Sequence, residues 1–212
     1  MVNDTNGELI NFYRIVKTQF GKLDKEIKCT LHSREYHHAA KIVLGYPQLF
    51  TEIKRAWAIW TLANQSFASM LDGTWRCDFK HNSTPKRLDN KRINFTKDYA
   101  KRLELVQIEN RDALQVIKQW DNKDVFFYCD PPYYNSDMGH YKGYTKQDFE
   151  KLLKGLAGIK GKFLLSSYPS EIVEKYMKKY KWFTRKIEGL TVSVSLGKQK
   201  KKTEVLTGNY EI

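Results

Sequence analysis

The run "DVFFYCD" at 124–130 constrains the fold of this chain more than any other stretch. An unbroken apolar run closed by a charge predicts a strand buried on both faces, as in the interior of a parallel sheet. The sequence beyond it repeats the theme. "KQDFEKLLKGLAGI" reads as an amphipathic helix, "GKFLLSSY" as a second buried strand and "SEIVEKYMKKY" as a helix, with further strands at "WFTRKIE" and "TEVLTGNYEI". Strands alternating with helices of this length predict an α/β fold built on a doubly wound, mostly parallel sheet. Only the basic loop "SLGKQKKK" separates the last two strands, so the C-terminal edge is expected to be antiparallel.

Upstream, the pattern is helical. "NDTNGELINFYRIVKTQF" opens with turn and capping residues, then places Leu9, Ile10, Phe12, Tyr13, Ile15 and Val16 at helical spacing. Residues from roughly 34 to 68 are also helical, with a break at Gly45 and Pro47. From Leu71 to Arg92 the chain is polar, basic and rich in turn residues. A helix over "FTKDYAKRLELV" follows, then a short strand and a helix within "LELVQIENRDALQVIKQW". The expected organisation is a core formed by 1–55 and 100–212, with a small helical, basic insert at 56–99.

At 212 residues, with 41% apolar and 29% charged, the chain can bury a substantial core. No run of about 18 apolar residues could cross a bilayer. The opening "MVNDTNGELINFYRIVK" lacks the basic-then-apolar order of a signal peptide, so a cytoplasmic protein without a membrane partner is expected. Cys29, Cys77 and Cys129 form no CxxC pair; they read as reduced thiols, and no metal site is expected. The formal charge of +13 favours a polyanionic partner, nucleic acid or an anionic membrane surface, although a lysine-rich surface also serves solubility.

The chemistry concentrates where the 124–130 strand ends. Ligands of open α/β sheets bind beyond the carboxyl ends of strands, which is where Asp130 stands. Pro131 and Pro132 fix two successive φ angles and remove two donors, leaving carbonyls aimed in a preset geometry. A carboxylate and a carbonyl together match the two N–H donors of an exocyclic amine. Tyr133 and Tyr134 offer faces on which a planar ring can stack.

"YCDPPYY" resembles the DPPY motif of amino-methylating DNA methyltransferases, and the chain more narrowly resembles the Dam-like adenine-N6 methyltransferases. "NDTNGELINFYRIVK", "LVQIENRDALQVI", "YTKQDFEKLLKGLAGIKGKFLLSSY" and "KKTEVLTGNY" resemble family segments in the same order, so the likeness spans nearly the whole chain. The resemblance implies a Rossmann-like core, S-adenosyl-L-methionine as cofactor and double-stranded DNA as partner, in a prokaryotic or phage-encoded restriction-modification setting. It implies a flipped-out adenine, with Asp130 and the Pro131 carbonyl accepting from its amine and Tyr133 stacked on its ring. Transfer would be direct, without a covalent enzyme intermediate. Asp4 would meet the cofactor ribose and Asp112 its adenine, and Asp130, which holds the amine lone pair toward the sulfonium methyl, would count with them as a cofactor-binding residue. As plain residues, Asp4 and Asp112 serve equally as helix caps, and Cys129 as a small strand residue. Tyr141 and Tyr144 would line the base pocket or pack as loop aromatics. Cytosine N4 stays open as the target amine.

The insert corresponds to the family's target-recognition region. Arg76, Lys80, Lys86, Arg87, Lys91 and Arg92, with His81 and interleaved Phe67, Trp75 and Phe79, would face the DNA. The run "KQKKK" at 198–202 reads as an exposed hairpin tip or a further backbone contact. The family's Phe-x-Gly-x-Gly loop has no counterpart ahead of Asp4, so an N-terminally truncated core is expected. A partner chain or self-association would then cover the opened sheet. The alternatives are one subunit of a split methyltransferase, or a non-catalytic DNA-binding remnant.

Overall fold

The computed structural model describes residues 1–135, 143–193 and 199–212, which divide into two compact units, Met1–Asp112 and Ala113–Ile212. Tyr141 and Lys198 lie outside the described residues.

The first unit begins with β1 (Val2–Asn3) and a capped turn. The Asn6 side chain accepts from the Glu8 and Leu9 N–H groups at 3.0 and 3.2 Å, starting α1 (Gly7–Thr18). The capping role open to Asp4 therefore belongs to Asn6. Asp4 instead accepts from the Asn6 N–H at 2.7 Å and fixes the turn that presents the cap. α2 (Phe20–Lys28) is absent from the sequence expectation because Phe20, Leu23 and Ile27 are its only large apolar residues among charges. α3 (Arg34–Gly45), a 3-10 turn at Pro47–Leu49 and α4 (Glu52–Gln65) follow, with the break where Gly45 and Pro47 place it.

α4 is buried without interruption from Ala56 to Leu62. It must be, since α1, α2, α3 and α5 (Ser83–Ile93) all pack on it. Arg55 on this helix grips Glu8 through two bonds of 2.7 and 2.8 Å. The fully buried Gln65 accepts from Ser33 N–H at 3.1 Å and donates to the Leu31 carbonyl at 2.9 Å, holding the entry to α3. α6 (Lys97–Leu103) leads to β2 (Ile108–Glu109), which pairs in parallel with β1.

The second unit comprises α7 (Ala113–Trp120), β3 (Phe126–Cys129), α8 (Lys146–Leu156), β4 (Lys162–Ser167), α9 (Glu171–Tyr180), β5 (Phe183–Ser193) and β6 (Gln199–Gly208). Its strands lie in the order β3-β4-β6-β5, with β3 and β4 parallel and β6 antiparallel to both neighbours. The protein is thus mixed α/β with two small sheets, and the expected antiparallel C-terminal pairing is present. Two expectations are corrected. β3 is buried on one face only: Phe127 packs with Phe163 and Leu165 beneath α8 and α9, whereas Phe126 and Tyr128 are 52% and 60% exposed. The reason is that α8 and α9 pack on the Phe127 side of the sheet. Lys200, Lys201 and Lys202 stand in the β5–β6 ladder rather than in a loop, because β6 reaches back to Gln199.

Where β3 and β4 begin, the backbone is close-packed. The Asp121 carboxylate accepts from the Lys160 and Gly161 N–H groups, and Lys162 N–H donates to the Val125 carbonyl at 2.9 Å. A Cβ on Gly161 would sit 2.6 Å from the Val125 oxygen and 2.8 Å from that of Asn122. Gly161→Ala should destabilise the protein by about 1–3 kcal/mol through this overpacking. Urea denaturation reads it directly; an unchanged midpoint would show that the turn yields freely.

Candidate active site

Parallel pairing sets Cys129 opposite Leu165, so Asp130 leaves β3 where Ser166 continues β4. Asp130 is exposed at the carboxyl end of β3, and the half-buried Pro131 and Pro132 carry the chain to Tyr133. The Tyr133 hydroxyl bonds Ser166 Oγ at 2.6 Å and lies 3.4 Å from Asp130 Oδ1. The second distance is long for an O–H···O bond, so Ser166 is the anchor. The Tyr133 ring meets Tyr168 edge-on at 4.5 Å, and Lys202 Nζ stands 4.4 Å from the Tyr168 centroid. Asn135 donates to the Pro169 carbonyl at 3.1 Å and ties down the far end of the segment.

Burial pushes the Tyr133 hydroxyl well above the ordinary tyrosine range; the Ser166 bond opposes this, and the Asp130 and Glu204 carboxylates add to it. The hydroxyl therefore stays protonated, and its ring is held by a neutral bond. The neighbouring Tyr134 turns the other way and packs on Phe149 at 5.3 Å, and Tyr144 joins the same core as a packed aromatic. The arrangement at the strand end is a carboxylate, two prolines and a pinned ring, which can hold a planar group bearing an amine.

Burial raises the Cys129 thiol to about 12, which keeps it neutral and a poor nucleophile. At pH 8, alkylation should modify the exposed Cys29 first and leave Cys129 unmodified until the protein unfolds. Mass spectrometry of peptides reads the order, and early labelling of Cys129 would contradict it.

In the first unit, parallel pairing makes β1 and β2 finish together. Asn3 Nδ2 donates to the Arg111 carbonyl and Arg111 N–H to Asn3 Oδ1, both at 3.0 Å, while Asn110 Nδ2 donates to the Asp4 carbonyl at 2.8 Å. These bonds bring Asp4 and the segment ending at Asp112 to one carboxyl end. Asp112 is exposed and directly precedes α7.

The basic segment is more ordered than its composition suggests. Asp78 accepts from the Lys80, His81 and Ser83 N–H groups at 2.9, 3.1 and 3.0 Å, and from the Ser83 hydroxyl. It thereby caps α5 in place of Asn82, whose left-handed backbone (φ 50°) carries no side-chain cap. Lys86, Arg87 and Lys91 project from the exposed face of α5, opposite the buried Thr84 and Leu88. Arg92 is engaged inwards, donating to the Thr30 carbonyl at 3.0 Å and to Asp89 at 2.8 Å. Arg76 is half-buried, with its N–H on the Gln65 carbonyl at 2.8 Å. Lys80 is exposed, and Phe79 beside it is 91% exposed.

Ser166, Tyr168 and Asp78 are the contributions that sequence reasoning missed, and Lys202, read there as part of a hairpin tip or backbone contact, stands against Tyr168. The polar end of an otherwise apolar strand ("LLSSY") and an Asp five residues ahead of a Ser at a helix start are the signals that mark them.

The Ser83 hydroxyl, then the surrounding N–H groups, hold the Asp78 carboxyl well below the usual carboxylate range. Because its folded value is depressed, its contribution is full above the unfolded value near pH ~4 and is lost as pH falls through the folded one. Amide exchange at Lys80, His81 and Ser83 should accelerate in Asp78→Ala at neutral pH, and in the native chain only under strong acid. Unaltered exchange in the variant would remove Asp78 from this role.

No curated protein matches the chain. The pinned strand end, the paired carboxyl end of β1 and β2 and the cationic helix face occur in a sequence of which residues 1–203 match the family model described as D12 class N6 adenine-specific DNA methyltransferase. The chain belongs to that family.

Proposed function

We propose that this chain methylates the N6 amine of adenine in double-stranded DNA, using S-adenosyl-L-methionine, with the target base flipped out and gripped at Asp130–Tyr133. The observation that carries this reading is the bond of 2.6 Å from Tyr133 to Ser166, which holds the ring beside the Asp130 carboxylate before any base arrives. Such preorganisation is what a reaction dependent on orientation requires. The amine would donate its two N–H bonds to the Asp130 carboxylate and the Pro131 carbonyl, leaving the nitrogen lone pair directed at the methyl donor. Tyr133 would stack on the purine, and Tyr168 would back Tyr133.

S-adenosyl-L-methionine supplies a methyl group on a sulfonium centre, ready for direct displacement. Asp4 and Asp112 suit this cofactor: both are carboxylates at the carboxyl end of a parallel pair, matched to a ribose diol and an adenine amine. The core would be the family's doubly wound sheet, with 56–99 as the recognition segment. There Arg76, Lys80, Lys86, Arg87 and Lys91 would meet the DNA, while Arg92 holds α5 and adds charge.

Asp130→Ala should lower transfer of labelled methyl to duplex DNA by at least about 100-fold, with duplex affinity nearly unchanged. Retained turnover would refute the assignment. Calorimetry separates the alternative: heat with duplex DNA but none with S-adenosyl-L-methionine would make this a non-catalytic DNA-binding chain. A second reading concerns assembly. β3 pairs only with β4 among the described strands, and its Phe126 and Tyr128 are exposed. That edge suits cover by another chain or a second copy, which sedimentation velocity would reveal as a mass above that of the monomer.

A further inference from the structure

A second cationic feature lies on α3, facing the start of the basic segment. Arg34, His38 and Lys41 recur at helical spacing along one face and border a depression of about 660 Å³. His37, 4% exposed, forms part of its floor and is held by a bond of 2.9 Å between Nε2 and Ser66 Oγ. Thr74 and Trp75 form the opposite wall.

That wall is fixed. Phe67 N–H donates to the Thr74 carbonyl and Arg76 N–H to the Gln65 carbonyl, both at 2.8 Å, which brackets Trp75. A Cβ on Gly73 would sit 3.1 Å from Met70 and Phe67 atoms, so the turn before Trp75 is tight. Lys41 Nζ reaches across to the Asp72 carbonyl at 3.1 Å. The Arg34 guanidinium stands 4.5 Å from the Trp75 centroid, and the His32 ring stacks on the same indole at 5.1 Å. The indole is therefore already engaged, and what the depression offers a ligand is positive charge with preset donors.

Glu35 is the single carboxylate among its lining residues. The excess is felt locally: burial, then the positive charges of Lys41, His38 and Arg34, lower the His37 imidazole below its ordinary value. A concave site with a guanidinium and an ammonium on one side matches a tetrahedral dianion or monoanion more closely than a flat lipid surface.

We propose that this depression seats a phosphate of the DNA backbone, held by Arg34 and Lys41 with His38 at its rim. The inference rests on duplex DNA being the substrate, and it adds a contact outside the 56–99 segment. Such a contact positions the duplex and carries no sequence information.

Fluorescence anisotropy of labelled duplexes across a salt series tests it, with Arg34→Gln, Lys41→Gln and the double variant. The magnitude of the slope of log affinity against log salt should fall by about 1 in each, equally for duplexes of unrelated sequence. Lys41→Arg should restore the native slope, which a merely structural role for Lys41 would not predict. Unchanged slopes in all three Gln variants, or a Lys41→Arg variant as weak as Lys41→Gln, would overturn the seat. Loss of phosphatidylserine-vesicle binding in these variants, with duplex binding intact, would reassign the depression to a membrane surface. If the native chain binds no duplex at all, the proposed function itself fails, an outcome distinct from native binding with unaltered slopes.

Discussion

Four backbone pairs between Phe126–Cys129 and Lys162–Leu165 determine where the Asp130 carboxylate stands. Side chains alternate along a strand, so a slip of one residue would turn Phe127 outward and carry Ser166 out of reach of Tyr133. The register is set at the other end of the strands, where Asp121 holds the Lys160 and Gly161 N–H groups and the absence of a Cβ at Gly161 lets two turns touch. The chemistry at one end of the sheet thus depends on a close approach at the other. The apolar seam of Phe127, Phe163 and Leu165 under α8 and α9 keeps the two ends rigidly connected.

The first unit answers to a different constraint. α4 is surrounded, and every element around it must satisfy its own polar groups while burying an apolar face. The unit meets this with buried side chains that replace missing backbone partners. Gln65 holds Leu31 and Ser33, Trp57 Nε1 donates to Thr30 Oγ1 at 2.7 Å, and Thr30 Oγ1 donates to the Glu26 carbonyl at 2.8 Å. Deleting one such partner leaves the other buried and unpaired, which costs more than the bond itself contributes. The loop joining α2 to α3 is held through these contacts, and its His32 stacks on Trp75, which walls the depression on α3.

Much of this was legible where the governing physics is local. Two prolines after a strand, a break at Gly45 and Pro47, and an apolar stripe over α1 each act within a few residues. The sequence was opaque where partners are distant. Nothing near Tyr133 and Tyr134 states which of them will point at Asp130; that depends on Ser166 and Phe149, one on a neighbouring strand and one on a helix. The apolar run of β3 looked buried on both faces because composition does not reveal which face of a sheet the helices will cover. α2 and α5 escaped notice because their buried apolar residues, Leu23 and Ile27 in α2 and Leu88 in α5, are too few to stand out against their charges.

The Asp78 hub has a consequence for how this loop could vary. Its carboxylate holds the loop through the N–H groups of Lys80, His81 and Ser83 and the hydroxyl of Ser83, never through the side chains of 79–82. Phe79, Lys80 and His81 therefore ride on a backbone that does not need them. Positions 79–81 form a small exchangeable cassette, in which new side chains can be accommodated without rebuilding the scaffold. Asp78 and Ser83 are its fixed ends.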